Sequence, residues 1–307
     1  METISCDYCR SQESTTIFHN ADWPWLEQNL GVEMVACNRC GLVYLNPRPD
    51  KFEIQDFYQS DYPSYAKPIL EEKSKLIQWV RRGNLQHRRN YIVKHTNGQN
   101  KKLLDVGCST GLFLGEMRSA GWEVVGVEPN DEIAQIARVK LGLKVHTGFL
   151  SSLDIPAETF DVITYWDVLE HTFSPRQELE QAVNLLKSGG LLVINIPNWN
   201  AFDRRLFGAN WQGYDPPRHL YVFPHDILTK YLTEAGCAVI EWKCLISSYY
   251  SMIMGLDRSF QQKVPKLARL INFFLNLPGL RFVFEPFLFP FYIIRRGSVI
   301  TVVAKKV

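Results

Sequence analysis

The sequence predicts an α/β protein in which a doubly wound parallel sheet follows a small cysteine-bearing ribbon and carries an apolar helical insertion near its end. Three observations lead to this prediction. From Lys101 onward, apolar strand-like runs alternate with amphipathic segments, which is typical of a parallel sheet covered on both faces. Two Cys-x-x-Cys pairs lie within the first 40 residues. An apolar, aromatic-rich stretch interrupts the alternation before the last strand.

Length and composition set the expected domain organisation. The chain has 307 residues and a net charge of +2, a balance that gives no reason to expect nucleic acid as a partner. We expect a ribbon over residues 1–50, a tyrosine-rich connector and helix over 51–100, and the main domain over 101–307, with an insertion at 247–296. No signal peptide follows Met1 and no apolar run reaches about 18 residues, so the expected location is the cytoplasm.

Four of the seven cysteines form two pairs, Cys6-x-x-Cys9 and Cys37-x-x-Cys40. Two intervening residues let both thiolates of a pair reach one tetrahedral ion, and cytoplasmic cysteines rarely form a disulfide framework. A structural zinc site is therefore expected at these residues. The simpler alternative is a set of reduced, buried thiols. A redox pair is disfavoured because neither pair follows a strand-to-helix turn.

A helical stretch over residues 68–95 joins the ribbon to the sheet. Its arginines, Arg88 among them, are most simply a solvated face. A basic patch for a phosphate-bearing ligand is the alternative interpretation of the same residues.

Capping and turn signals place the elements of the main domain. Asn130 is expected to cap a helix that stops at Gly142. Ser174, followed by Pro175, is expected to begin another helix, which ends at the turn of residues 188–190. Predicted strands cover residues 103–106, 122–127, 144–147, 160–165, 191–196, 239–245 and 298–304, the last of them antiparallel near the edge of the sheet.

The most informative segment is the glycine turn after the first predicted strand of the sheet. Gly107 and Gly111 bracket this turn, and Asp105 lies just before it. Glu128 ends the second strand about 20 residues later, where a doubly wound sheet places an acid against ribose hydroxyls. Strand, glycine turn, helix, strand and acid together predict a nucleoside-cofactor site.

Two other interpretations fit the turn less well. Residues 107–111, Gly-Cys-Ser-Thr-Gly, match the G-x-S-x-G nucleophile elbow of hydrolases, but no oxyanion loop precedes them. A dinucleotide site would place a third glycine where Phe113 and Leu114 stand. The turn alone therefore does not identify the cofactor.

Four motifs in order resemble class I S-adenosylmethionine-dependent methyltransferases. Residues 105–111 are similar to the first motif of that family, and residues 128–130 to the second. Residues 160–171 are similar to its fourth strand and the following loop, and residues 185–194 to the approach to its fifth strand. The resemblance implies a seven-stranded, Rossmann-like sheet with S-adenosylmethionine as cofactor. It assigns cofactor binding to Asp105, Gly107, Cys108, Ser109, Gly111, Glu128, Pro129, Asn130, Leu150, Trp166 and Asp167.

The ribbon extends the resemblance beyond the sheet. A four-cysteine ribbon before such a core is similar to bacterial methyltransferases that act on sugars, including sugar C-methyltransferases and enzymes of polysaccharide synthesis. The expected acceptor is therefore a sugar or glycan, either nucleotide-linked or lipid-linked. Residues 168–171 also resemble quinone-ring methyltransferases, which are the closest alternative. An RNA methyltransferase and a non-catalytic cofactor-binding module are the remaining alternatives.

Residues 214–223 lie where the sugar methyltransferases place acceptor-site residues. His219 is the expected general base, with His171 second, because an imidazole titrates near neutrality. Tyr221 completes the expected catalytic set as an acceptor-facing residue, with core packing as the equal alternative. The alternatives are a structural hydrogen bond for His219 and an orienting role in the cofactor loop for His171.

The insertion contains phenylalanine-rich runs flanked by Arg281, Arg295 and Arg296. Glu285 and two prolines argue against a membrane-spanning helix. The simplest expectation is an apolar lid or a dimer surface. The alternative is peripheral contact of residues 265–296 with the inner face of the membrane, with arginines at the headgroups. The sequence does not fix the oligomeric state.

Overall fold

The computed structural model describes residues 1–23, 25–26, 30–58, 74–96, 101–261, 264, 266, 273, 275, 277 and 279–307. These residues form a seven-stranded sheet with helices on both faces and a four-stranded antiparallel sheet near the N-terminus. Most of the predicted tyrosine-rich connector and part of the predicted apolar insertion lie outside the described residues.

The elements of the described chain are as follows. The strands are β1 Ser14–His19, β2 Glu33–Cys37, β3 Val43–Leu45, β4 Lys102–Val106, β5 Glu123–Glu128, β6 Lys144–Thr147, β7 Phe160–Trp166, β8 Leu186–Pro197, β9 Tyr221–Val222, β10 Cys237–Lys243 and β11 Val299–Lys306. The α-helices are α1 Lys75–His95, α2 Leu112–Ser119, α3 Asp131–Leu141, α4 Pro175–Leu185, α5 Phe202–Phe207, α6 His225–Glu234, α7 Tyr249–Phe260 and α8 Leu280–Ile293.

The seven-stranded sheet has the order β10-β11-β8-β7-β4-β5-β6, which confirms the predicted doubly wound architecture. Strands β4 to β8 are parallel, and β11 is antiparallel to both of its neighbours. The strand order reverses between β4 and β7. A crevice at the carboxyl ends of these strands is where such sheets bind ligands.

Two apolar layers cover the sheet. Along β4, Leu104 packs into the layer that includes helices α4 and α6, whereas Leu103 packs into the layer that includes α1, α2 and α3. Successive side chains of a strand point to opposite faces, so one apolar run supplies both layers. Strands β4 and β7 thus lie in the interior of the sheet, between the two layers.

Both predicted helix starts are confirmed, but only one of the two caps forms its hydrogen bond. The Asn130 side chain accepts a hydrogen bond from the Ile133 N–H at 3.2 Å, which confirms its capping of α3. The Ser174 side chain makes no cap hydrogen bond to α4, and its hydroxyl donates to Asp7 at 3.1 Å. Helix α4 ends at Leu185, before the predicted stop at 188–190, because Leu186 already pairs with Phe160 of β7; residues 187–190 lie between this pair and the next one, Val162 with Leu191, and Gly189 has a φ of +72°.

The N-terminal sheet takes its last strand from the main domain. Its order is β1-β2-β3-β9, and β9 pairs with β3 through Val43 opposite Val222 and Tyr44 opposite Tyr221. The ribbon therefore packs against the segment that follows His219. Among the described residues, no helix is both long enough and apolar enough to cross a membrane.

Candidate active site

The turn after β4 needs glycine at both of its ends. Gly107 and Gly111 have φ angles of +69° and +76°, which disfavour any side chain. A Cβ atom at Gly107 would lie 2.6 Å from Val168, and one at Gly111 would lie 2.6 Å from Leu143. Both glycines are therefore required by the backbone conformation and by close packing against Val168 and Leu143.

Glu128 lies beside this turn at the end of β5. Its carboxylate accepts hydrogen bonds from the Ser109 N–H at 2.9 Å and from the Asn130 N–H at 3.0 Å. The side chain is buried, and burial raises the pKa of its carboxyl group. Two backbone donors therefore hold an acid at the place where ribose hydroxyls bind in doubly wound sheets.

Asp105 lies under the turn and contacts β7. Its carboxylate accepts a hydrogen bond from the Thr164 hydroxyl at 2.6 Å. Burial raises the pKa of Asp105 to about 7, whereas the Thr164 hydrogen bond and the charge of Arg88 act in the opposite direction. The Asp105 carboxylate therefore lies between Arg88 of α1, the glycine turn and Thr164 of β7.

Arg88 belongs to this site, although its sequence context predicted a solvated face. Its guanidinium lies 4.5 Å from the ring centroid of Trp166 and 3.9 Å from the Asp167 carboxylate. Its Nε is buried and has no hydrogen-bond partner among the described residues. A half-buried cation with a buried, unused donor atom fits an anionic group of a ligand.

An aromatic pocket borders the same crevice. Trp166 packs edge-on against Phe113, with ring centroids 5.3 Å apart, and its Nε1 has no partner within the described chain. Asp167 accepts a hydrogen bond from the Asn195 side chain and has a φ angle of +59°. Leu150 is buried in the 3-10 turn after β6.

The structure thus brings the predicted cofactor residues to one edge of the sheet. Eight of them lie near the ends of β4 and β5: Asp105, Gly107, Cys108, Ser109, Gly111, Glu128, Pro129 and Asn130. Leu150, Trp166 and Asp167 follow β6 or end β7. A glycine turn, an acid, an aromatic pocket and an unused arginine donor fit a nucleoside cofactor that carries an amino-acid tail.

His171 and His219 come from separate loops and meet at this edge. Their ring centroids are 4.7 Å apart. The Nδ1–H of His219 donates to the Gly213 carbonyl at 2.8 Å, and Nδ1 of His171 lies 2.9 Å from the Arg218 carbonyl and 2.8 Å from the Tyr58 hydroxyl. Burial lowers the pKa of both imidazoles, to about 3 for His171. Both rings are therefore neutral at neutral pH.

Glu170 lies beside the two histidines and was not predicted from the sequence. It is 1% exposed, and neither carboxyl oxygen has a hydrogen-bond partner among the described residues. Burial raises its pKa well above the ordinary value. Ligand atoms of Glu170, His171 and His219 all lie within 4.8 Å of one another, so this trio could share a proton or hold a metal ion.

An ion-paired loop carries His219. Asp215 accepts two hydrogen bonds from the Arg218 guanidinium, at 2.9 and 3.1 Å, and another from Arg258 of α7 at 2.5 Å. These cations hold the pKa of Asp215 well below its usual range, although burial acts in the opposite direction. Arg218 therefore faces a carboxylate of its own chain, which fixes the turn that precedes the histidine.

The four paired cysteines converge in the ribbon. The sulfur atoms of Cys6 and Cys40 are 3.5 Å apart, and those of Cys9 and Cys37 are 3.4 Å apart. All four thiols lie within 4.8 Å of one another, and none forms a disulfide. Four converging thiols are the donor set of a structural zinc site.

The sheet and the cofactor crevice define a class I S-adenosylmethionine-dependent methyltransferase. The family model described as "Methyltransferase domain" matches residues 78–241, which is more than half of the chain. The protein belongs to this family and is an S-adenosylmethionine-dependent enzyme. The predicted cofactor and reaction type are thereby confirmed.

Curated relatives have one recurrent name. A ubiquinone biosynthesis O-methyltransferase of Azoarcus is 27% identical, over 73% of this chain and 100% of the relative. Another with the same name, from Stutzerimonas stutzeri, is 29% identical over 70% of this chain and 95% of the relative. Among solved structures, magnesium protoporphyrin IX methyltransferase from Synechocystis has a TM-score of 0.54 at 14% identity. That match covers 84% of this chain and all of the other, and it shows the fold alone.

The predicted sugar or glycan acceptor is wrong. The relatives are named for ubiquinone biosynthesis and O-methylation, which favours the alternative acceptor class. The prediction relied on the ribbon, which lies outside the matched methyltransferase domain, and on residues 214–223, which lie within it. The expectation of a role in polysaccharide synthesis has no support from these relatives.

Proposed function

We propose that the protein methylates a hydroxyl group on an aromatic ring of the kind from which quinones are made. The observation that carries this proposal is the pair of buried His219 and half-buried His171 beside the cofactor crevice. The shared name of the relatives supports it. The His171 N–H donates to the Val168 carbonyl at 3.0 Å, and the Val168 side chain packs against Gly107 of the glycine turn, so the pair lies close to the cofactor loop.

The cofactor crevice would use the predicted residues in distinct roles. Bound S-adenosylmethionine supplies a methyl group on a positively charged sulfur. The turn from Gly107 to Gly111 would hold the methionyl part, and Glu128 would accept hydrogen bonds from the ribose hydroxyls. Arg88 would pair with the methionyl carboxylate. Trp166 would line the adenine pocket, together with Leu150 and Asn130.

His219 would take the proton of the acceptor hydroxyl. Its Nδ1–H is committed to the Gly213 carbonyl, so the neutral ring keeps its basic lone pair on Nε2. A phenolic hydroxyl, with a pKa near 10, is acidic enough for an imidazole to assist, whereas an aliphatic hydroxyl is much less so. The lowered pKa of His219 therefore favours an aromatic acceptor.

The test uses the full-length protein. Calorimetry with S-adenosylhomocysteine measures cofactor binding, and mass spectrometry detects methyl ethers formed from 3,4-dihydroxybenzoate and a prenylated catechol. We expect a methyl ether, and a loss of about 100-fold or more in kcat for His219→Gln. Exposed His19 in β1 provides the control variant His19→Gln. Cofactor binding without methylation of any catechol would contradict the proposal.

The same assay examines the Glu170 trio. If His219 accepts the proton, kcat/KM should rise with pH through the lowered pKa of this imidazole, below 6.5, and then stay level. The reason is that only the neutral imidazole accepts a proton. Turnover that is lost with EDTA and restored by Mg²⁺ would instead assign the trio to metal binding.

We infer that residues 1–50 form a ribbon that binds one structural zinc ion through Cys6, Cys9, Cys37 and Cys40. The convergence of the four thiols supports this inference. Metal analysis of purified protein should find one zinc per chain and none in Cys37→Ser. Cys244→Ser, a thiol outside the cluster, should keep the zinc. Metal-free wild-type protein would contradict the assignment.

We also propose peripheral membrane contact through residues 265–296, of which 280–296 are fully described. Phe287 and Phe289 of α8 are exposed, and Arg295 and Arg296 follow the helix. Such a helix suits the boundary of an anionic bilayer. Flotation with phosphatidylglycerol vesicles should carry the protein upward and should fail for Phe287→Ser combined with Phe289→Ser. Phe52→Ser, at an equally exposed site elsewhere, is the control. Wild-type protein that stays at the bottom would refute membrane contact.

A further inference from the structure

Arg48 joins the ribbon to both segments that carry the paired histidines. Its side chain is buried, and Nη1 donates hydrogen bonds to the Phe173 carbonyl and to the Tyr221 hydroxyl, both at 3.0 Å. Phe173 comes two residues after His171, and Tyr221 comes two residues after His219. One guanidinium therefore contacts each histidine segment two residues after its histidine.

Tyr221 is hydrogen-bonded to both Arg48 and Phe173, which are also hydrogen-bonded to each other. Its hydroxyl donates to the same Phe173 carbonyl at 3.2 Å while it accepts from Arg48. The guanidinium also lies 4.9 Å from the ring centroid of Phe173 and 5.9 Å from that of Tyr221. On its other side, Nε donates to Glu2 at 2.8 Å. The planar fork of an arginine fixes direction as well as distance, which a lysine cannot do.

Backbone hydrogen bonds also connect the ribbon to the two segments that carry the histidines. The Leu45 N–H in β3 donates to the Leu220 carbonyl at 2.9 Å, and the Leu220 N–H donates to the Glu170 carbonyl at 2.9 Å. Leu220 follows His219, and Glu170 precedes His171. The ribbon strand, the His219 segment and the His171 loop thus form one continuous hydrogen-bonded unit.

We propose that Arg48 is a positioning residue that sets the spacing of His171 and His219, with Tyr221 as its partner. The inference rests on the proposed role of His219 in accepting the proton of the acceptor. It assigns Tyr221 a positioning role through Arg48 rather than contact with the acceptor. Small displacements of a base relative to its substrate have large effects on rate, so the arrangement acts on turnover more than on binding.

The kinetic test compares Arg48→Gln and Tyr221→Phe with the wild type. We expect kcat on the catechol acceptor to fall roughly 10- to 100-fold in both variants, with the affinity for S-adenosylhomocysteine unchanged. Arg48→Lys should recover only part of the loss. Exposed Lys51, three residues along the chain, provides the control Lys51→Gln. Unchanged kcat in Tyr221→Phe with intact cofactor binding overturns the proposal, even where Arg48→Gln fails to fold.

A spectroscopic test separates this proposal from the proposed reaction. Nitrogen-15 NMR reports the imidazole signals of His171 and His219, which are assigned through His171→Gln and His219→Gln. We expect both signals to shift in Arg48→Gln and in Tyr221→Phe, and neither to shift in Lys51→Gln. The readout needs no acceptor, so it remains valid where catechols are not methylated. Unshifted signals in Tyr221→Phe overturn the positioning role.

Discussion

Arg88 lies three residues from both Leu85 and Tyr91 on α1, and this spacing turns its side chain toward the sheet. The sequence interpretation grouped it with its neighbouring arginines as a solvated face. A test of helical periodicity for each arginine separately would have placed Arg88 on the apolar side. Charge alone is therefore a poor guide to exposure on an amphipathic helix.

Replacement of Arg88 should weaken cofactor binding. Arg88→Met keeps the length of the stem and removes the donor, so we expect the affinity for S-adenosylhomocysteine to fall about 10- to 100-fold, the value of a charge-assisted hydrogen bond of roughly 1.5–3 kcal/mol. Titration calorimetry measures the change. Arg82→Met, at an exposed position of the same helix, is the control. An unchanged affinity in Arg88→Met would remove Arg88 from the cofactor site.

The buried Asp105 should make stability depend on pH. Its pKa rises from 3.8 to about 7 on folding, so the folded protein holds this proton more tightly than the unfolded chain. Its contribution is complete below about pH 4 and is lost as the pH rises through about 7. Urea unfolding without cofactor at pH 5 and pH 8 should show a smaller difference for Asp105→Asn than for the wild type.

Exposed Asp154 supplies the control for that measurement. Asp154→Asn should leave the difference between the two pH values as it is in the wild type. Other buried acids with raised pKa values, including Glu178, also contribute to the wild-type slope, so Asp105→Asn should reduce it without abolishing it. An equal difference in unfolding free energy between pH 5 and pH 8 in Asp105→Asn and the wild type would contradict the raised pKa of Asp105.

At the scale of elements, the sequence predicted the parallel core well, because each strand carries an apolar run and each helix a periodic face. The bounds of β6 match the prediction, and the other strands of the sheet differ by a few residues. Strand β9 was missed because two residues show no periodicity, and its pairing with β3 is a long-range contact. The meeting of His171 with His219 was missed for the same reason.

The cap of α3 is an element-scale contribution that can be measured. Asn130→Ala removes the side-chain acceptor for the Ile133 N–H, so the free energy of unfolding should fall by about 1 kcal/mol. Asn130→Asp keeps an acceptor and a negative charge at the helix N-terminus, so it should retain most of the stability. Urea denaturation measures both variants. An equal loss in the two variants would show that the cap hydrogen bond contributes little.

At the scale of the whole molecule, the ribbon is bound to the main domain by buried polar contacts. Asp7, between two of the paired cysteines, accepts hydrogen bonds from the Ser174 hydroxyl, the Arg176 N–H and the Tyr231 hydroxyl. Trp23 donates from its indole to the Ala209 carbonyl at 3.0 Å. Contacts between residues so far apart in the chain have no local sequence signal, so the sequence predicted the ribbon but not its attachment.

This attachment predicts that loss of zinc destabilises the whole molecule rather than the ribbon alone. Chelation of the metal, or Cys37→Ser, would free the two cysteine pairs, which hold Asp7 and β3 in place. Because β3 pairs with β9, the loop that carries His219 would also lose support. A loss of about 3 kcal/mol corresponds to a fall in Tm of roughly 5 °C in a chain of this size. Scanning calorimetry should show one transition moved to lower temperature, with Cys244→Ser unmoved. A separate early transition beside an unchanged main one would mean that the ribbon unfolds independently of the domain it contacts.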